Sequence, residues 1–289
     1  MSERDLALTL AGGGNRTLYG LALLDRWAAR IVPRLRAAAG VSAGACMICL
    51  HLAGRADAAR AFWHRRRRGV DRNLDPARLL RGEWLAPHGD VYRDTLLFAF
   101  GGGGLDRIRR APFPVLILAA APPAPLPAGL GTAVGFGMYH VEKRLRPGMV
   151  HPTVGRAIGF RPVIHDAREC ESVEELSALI LASSSTPPFT PLGRFRGETL
   201  IDGGVIDNVP AFVAEAVPGV QQNVVILSRP YPAAATGRQG RRLYLAPSRP
   251  TPCECWDYTR SDLADATYAM GEREAGLHEP ILGRFLGDR

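Results

Sequence analysis

The chain predicts an α/β layered fold, with a central mostly parallel sheet flanked by helices, and three observations carry that expectation. A strand-like run, Leu6-Ala7-Leu8-Thr9-Leu10, passes through Gly12-Gly13-Gly14 into a helical pattern. A second short apolar run, around Leu35 to Ala39, passes through Gly40-Val41-Ser42-Ala43-Gly44 into another. The clearest buried strand, Pro114 to Ala121, follows later with proline on both sides. Strand, turn and helix repeated in that order give a layered fold with a parallel pair at its centre. A right-handed crossover then brings both glycine-flanked turns to the same edge of the sheet.

The remaining elements follow in chain order. Leu18, Leu21, Ala22, Leu24 and Ala28 recur at helical spacing, in a helix that ends before Pro33. Ala45 to Leu52 has no breaker and is apolar nearly all round, as a buried helix would be. Arg55 to Arg68 reads as a helix closed by Gly69, and Asp71 to Asp90 as irregular. Val91 to Phe100 reads as a short helix, and Gly101 to Gly104 as a flexible hinge. Pro122 to Pro127 and the glycine-rich segment to Gly137 predict irregular chain, either an apolar flap over a site or a surface excursion. Phe160 to His165 is a strand. Ser172 caps a helix that carries Glu174 and Glu175 in its first turn and runs to about Ser183. Thr199 to Ile201 is a strand ending at Asp202. Gln222 to Ser228 and Arg242 to Ala246 are further strands, and the tail from Thr259 is a covering helix. Residues 5–289 read as a single domain, with about 230–289 as a covering segment.

Composition sets limits on partners. The 289 residues are 46% hydrophobic and carry a formal charge of +8. Such a chain has material for a large core and an attraction to anionic surfaces, which can be phospholipid headgroups, nucleic acid or acidic proteins. Five scattered cysteines, Cys46, Cys49, Cys170, Cys253 and Cys255, do not form a disulfide framework and point to a reducing compartment. Met1 to Asp5 lacks the basic region and apolar run of a secretory signal, and no apolar stretch is long enough to span a bilayer. The expectation is a cytoplasmic protein whose membrane contact is at most peripheral.

Gly40-Val41-Ser42-Ala43-Gly44 has the form of a nucleophile elbow, in which a serine sits on a strained turn at a helix N-terminus. Taken alone, the pattern also describes an ordinary tight turn. Gly12-Gly13-Gly14 exposes backbone amides that suit an oxyanion. A dinucleotide fingerprint is disfavoured, because Thr17 stands where a third glycine or alanine belongs and no acid lies between Pro33 and Gly40. Asp202, at a strand end against Gly203 and Gly204, either delivers a carboxylate to a site or merely closes a turn. Within reach of Ser42 it can orient the hydroxyl and take its proton. A Ser-His-Asp triad is disfavoured, because only His278 follows Asp202 and His51 lies more than two helical turns from Ser42. Arg65 to Arg68 reads as a solvated helix end or as a headgroup patch. Cys253-Glu254-Cys255, without a second spaced pair, is too weak a signal for a metal.

Taken together, Gly12-Gly13-Gly14-Asn15-Arg16, Gly40-Val41-Ser42-Ala43-Gly44-Ala45, the Ser-rich block Ser183-Ser184-Ser185-Thr186-Pro187-Pro188-Phe189, Asp202-Gly203-Gly204 and Asn208-Val209-Pro210 follow one another in an order that resembles the patatin-like phospholipases. The resemblance spans roughly Leu6 to Leu227. It implies hydrolysis of acyl esters of phospholipids or related lipids, with Ser42 as nucleophile and Asp202 as base. It also implies Gly12, Gly13 and Gly14 as oxyanion donors, with Arg16 supporting that loop or meeting phosphate. No cofactor, metal or nucleic acid is expected. Where the family commonly carries glycine after the basic residue, this chain has Thr17, whose branched side chain narrows the allowed backbone. A thioesterase or acyltransferase using the same dyad, and a silent lipid- or protein-binding member, are the alternatives.

Overall fold

The computed structural model of the chain describes residues 4–124, 128–146 and 148–287. The elements run β1 (Leu6–Leu10), α1 (Leu18–Ile31), β2 (Leu35–Val41), α2 (Ala43–Leu52), α3 (Ala56–Arg66), α4 (His88–Phe100), α5 (Gly104–Arg109) and β3 (Val115–Ala121). There follow α6 (Ala128–Leu145), α7 (Val154–Ala157), β4 (Arg161–Asp166), α8 (Val173–Ser183), β5 (Gly193–Phe195), β6 (Glu198–Asp202), α9 (Gly204–Asp207) and α10 (Ala211–Glu215). The chain closes with β7 (Gln222–Ile226), β8 (Gly237–Gln239), β9 (Arg242–Leu245) and α11 (Ser261–Leu286).

The strands form one sheet in the order β5-β6-β3-β2-β1-β7-β9-β8, with β4 also paired to β3. Its centre is parallel: β1 pairs with β2 and β7, β2 with β3, and β7 with β9. The antiparallel pairs, β3 with β4 and β6, β5 with β6, and β8 with β9, lie toward the edges. Because side chains alternate along a strand, Leu6, Leu8, Leu10, Ile117 and Ala119 face one apolar layer with Tyr19, Trp27, Ile48, Phe100 and Leu179. Ala7, Ala37, Ala39, Val41, Leu118 and Ala120 face the other, with Phe160, Val205, Ile206 and Val213. Helices therefore cover both faces, which accounts for central strands that read as continuous apolar runs. The segment after residue 230 contributes β8 and β9 to this sheet and lays α11 along α1. Tyr19 on α1 donates to Glu274 on α11 at 2.9 Å.

Several elements differ from their sequence expectation. The segment after Ala124 was expected to be irregular, yet Ala128–Leu145 is a helix; Pro125, Leu126 and Pro127 lie outside the described residues. Its glycines read as breakers in sequence, but a Cβ on Gly135 would sit 2.6 Å from the Phe160 ring, so the glycine lets α6 settle against the sheet layer. That packing, with Phe136 joining the same apolar layer, offsets the roughly 1 kcal/mol cost of a helical glycine. Gly101 to Gly104, expected as a hinge, is a tight turn with Gly103 at the N-cap of α5. The helix expected from Val91 begins at His88. Strands β5 and β8, of three residues each, carry too little periodicity to be seen in advance. The arginine run is not one solvated face. Arg66 pairs with Asp94 at 2.7 Å, whereas Arg67 is buried with its guanidinium 3.8 Å from the Trp63 ring centroid.

Candidate active site

Ser42 stands between β2 and α2 with φ 54° and ψ −135°. It and Arg196 are the described non-glycine residues with positive φ, and such a backbone is held only when its surroundings over-determine it. Here the surroundings are visible. A Cβ on Gly40 would lie 2.6 Å from the Ala45 amide nitrogen, and one on Gly44 2.5 and 2.6 Å from the carbonyl oxygens of Ala11 and Leu10. The two glycines of the elbow thus let α2 cross directly over the end of β1. The Ser42 amide donates to Ser183 Oγ at 2.8 Å, and Ser183 Oγ in turn donates to the Leu118 carbonyl at 2.6 Å.

Asp202 ends β6 and is buried. Its amide donates to the Ser185 carbonyl at 2.9 Å, and its Oδ1 accepts from the Gly204 amide at 2.7 Å. The Ser42 hydroxyl is hydrogen-bonded to the same carboxyl. Burial raises the Asp202 pKa to about 6, against the opposing pull of those two hydrogen bonds. The Ser-rich block thus acquires a structural role that the sequence did not disclose: Ser183 holds the Ser42 backbone while Ser185 holds the Asp202 backbone.

The glycine loop lies beside them. A Cβ on Gly12 would come within 3.4 Å of Ser42 Cβ. Of the three glycines expected to offer amides, Gly12 has its own engaged with the Asn208 carbonyl at 3.0 Å. Its carbonyl accepts from Asn208 Nδ2 at 3.2 Å and from Ser228 Oγ at 2.5 Å. Gly12 therefore anchors the loop, which leaves Gly13 and Gly14 as the candidate donors. Gly14 has φ 55° and passes directly beneath the Cys255 carbonyl, where no side chain fits. Arg16 Nε donates to the Gly13 carbonyl at 3.2 Å, and Thr17 Oγ1 to the Gly14 carbonyl at 2.7 Å. Thr17 holds φ −70°, comfortable for a branched side chain, so the departure at this position adds a clasp to the loop.

A slender cavity of about 80 Å³ opens beside Ser42 and Gly14 and runs between α2, α3 and α4. Met47, Leu50 and Trp63 give it an apolar wall. Burial, with repulsion from Arg229 and Arg16, lowers the Lys143 pKa. The two histidines considered for a triad are engaged elsewhere. His278 contacts Tyr19 Oη at 2.9 Å, and His51 lies 2.6 Å from Asp25. Among the described residues no cluster of His, Cys, Asp or Glu suited to a metal occurs.

A family model described as patatin-like phospholipase matches residues 8–215. No curated protein matches the chain. Among the solved structures it resembles is VipD from Legionella pneumophila, 10% identical, with a TM-score of 0.48 over 98% of this chain and 67% of that one.

Proposed function

The chain belongs to the patatin-like phospholipase family, whose members are in general lipid acyl hydrolases, and from that premise we propose that it cleaves lipid acyl esters with Ser42 and Asp202. The observation that carries this reading is a strained serine hydrogen-bonded to a buried carboxyl at the mouth of an apolar cavity. Ser42 Oγ attacks the ester carbonyl carbon as its proton passes to Asp202. The carbonyl oxygen becomes an oxyanion, met by the amides of Gly13 and Gly14 and by the N-terminus of α2. The C–O bond to the alcohol breaks and Asp202 returns the proton to the leaving oxygen. Water then attacks the acyl-serine, giving up a proton to Asp202, and the free acid departs as Ser42 recovers its hydrogen.

The surroundings favour a lipid. The acyl chain enters the apolar cavity, and Arg16, Lys143 and Arg229 suit a phosphate on the alcohol side. Along α6, Leu130, Val134, Met138, Val141 and Leu145 are exposed at helical spacing. Such an apolar stripe beside cationic side chains suits an anionic phospholipid surface.

Ser42→Ala and Asp202→Asn should each lower kcat on a phospholipid or an aryl ester about a thousandfold or more, with the circular dichroism spectrum unchanged. A fluorophosphonate should label the native chain and not Ser42→Ala. Native-like turnover by either variant would refute the dyad.

A further inference from the structure

The cavity beside Ser42 is apolar along most of its wall, but three buried polar atoms interrupt it. His88, the first residue of α4, is 1% exposed and lines the cavity. Its Nε2 lies 2.7 Å from the Trp256 carbonyl oxygen. A carbonyl only accepts, so Nε2 carries the ring proton. Burial lowers the His88 pKa to about 4, so the ring is neutral near pH 7 and Nδ1 is a bare acceptor. No donor among the described residues reaches it. The ring cannot swing away to find one. Phe189, Trp256 and Tyr258 enclose it, with centroids at 5.3, 6.1 and 4.0 Å.

Tyr92, one helical turn further along α4, lines the same cavity, as does Ser184. The two hydroxyls are neighbours that bond each other, with Cys46 also beside Tyr92, but neither has a partner of good geometry. Buried polar atoms in a folded protein are nearly always paired, and each exception calls for a reason. A plain alkyl chain in this cavity would leave His88 Nδ1 unpaired and the two hydroxyls with only each other and Cys46. A chain carrying a hydroxyl would donate to His88 Nδ1 and accept from Tyr92 or Ser184.

We propose that this cavity selects a hydroxylated acyl chain, with His88 Nδ1 as the acceptor that reads the hydroxyl and Tyr92 and Ser184 as its further partners. The name of the substrate class rests on the ester-hydrolase reading, whereas recognition of the hydroxyl does not, and the two are separable by experiment.

The test titrates the full-length Ser42→Ala protein with decanoic acid and with its monohydroxylated positional isomers, followed by calorimetry. At least one isomer should bind about tenfold or more tighter than decanoic acid, since sites built to bond a hydroxyl discriminate strongly against analogues lacking it. Adding His88→Phe should erase that preference, so that the preferred isomer and decanoic acid then bind alike. Tyr92→Phe, which removes a single oxygen, should reduce the preference and serves as the second variant if His88→Phe fails to fold. The proposal is overturned if no isomer outbinds decanoic acid, or if the preference survives both substitutions. Should the preference hold while the native chain hydrolyses no ester, the hydrolase reading fails and the cavity assignment stands. Should esters be hydrolysed with no hydroxyl preference, the reverse follows.

Discussion

Asp202 shows how a single residue ties function to instability. In the unfolded chain its carboxyl has the ordinary value of 3.8, and in the fold burial raises it to about 6. The folded state therefore holds the proton more tightly, so stability falls as pH climbs from about 4 to about 6 and levels off above that. As the proposed base, Asp202 would work only when ionised, so kcat/KM should climb through pH 6 to a plateau, over the same interval in which stability is lost. Asp202→Asn removes the ionisation. Near neutral pH that variant should be more stable than the native chain by on the order of 3 kcal/mol, measured in urea, while losing turnover. Equal or lower stability of the variant would contradict burial as the cause of the shift. The local placement of Ser42 and Asp202 was legible in sequence because each stands at a strand end against glycines. The shifted pKa was not, because burial belongs to the assembled layers. Nor was the role of Ser183, which stands 141 positions from the amide it holds.

Among the elements, those legible in sequence were the ones with one dominant local cause. Leu6 to Leu10 and Val115 to Ala121 are continuous apolar runs, and Ser172 caps α8 by accepting from the Glu175 amide at 3.0 Å, as its first-turn glutamates foretold. Helix α6 was missed because it is rich in glycine, and the one glycine that packing requires, Gly135, answers to Phe160 in a different part of the chain. The junction of β1 with α2 was half legible. The glycines of the elbow marked a turn, but only the structure shows that Gly44 faces the carbonyl oxygens of Leu10, which ends β1, and of Ala11 after it. Gly44→Ala would place a methyl 2.5 Å from the Ala11 oxygen, and backbone cannot yield as a side chain end can. The variant should lose about 2 to 3 kcal/mol with an unchanged urea m-value. It should also lose kcat out of proportion to KM, because the N-terminus of α2 carries Ser42. A Gly44→Ala protein of native stability would show that α2 is free to move and that the elbow is not over-determined.

At the scale of the whole molecule, α6 joins a stripe of exposed apolar side chains to Lys143, which lies near Arg16 and Arg229. The chain bears a formal charge of +8, and no described helix is long and apolar enough to cross a membrane. Contact with a bilayer through α6 would therefore be made at its surface. Two forces would act there, and they differ in reach. Attraction to anionic headgroups is screened over about 10 Å at 0.1 M salt and about 3 Å at 1 M, whereas burial of the α6 stripe at the interface is insensitive to salt. Binding to vesicles of phosphatidylcholine with phosphatidylglycerol should accordingly weaken as sodium chloride rises, to a floor set by the stripe. Val134 and Val141 are exposed, so Val134→Asp with Val141→Asp should spare the fold. Together they should lower that floor about tenfold, since each aspartate must be desolvated or repelled at an anionic surface. Hydrolysis of a short water-soluble ester should be unaffected, because neither side chain lines the cavity beside Ser42. Vesicle binding by the double variant equal to that of the native chain at high salt would remove α6 from the interface and leave the cationic cluster to account for lipid contact alone.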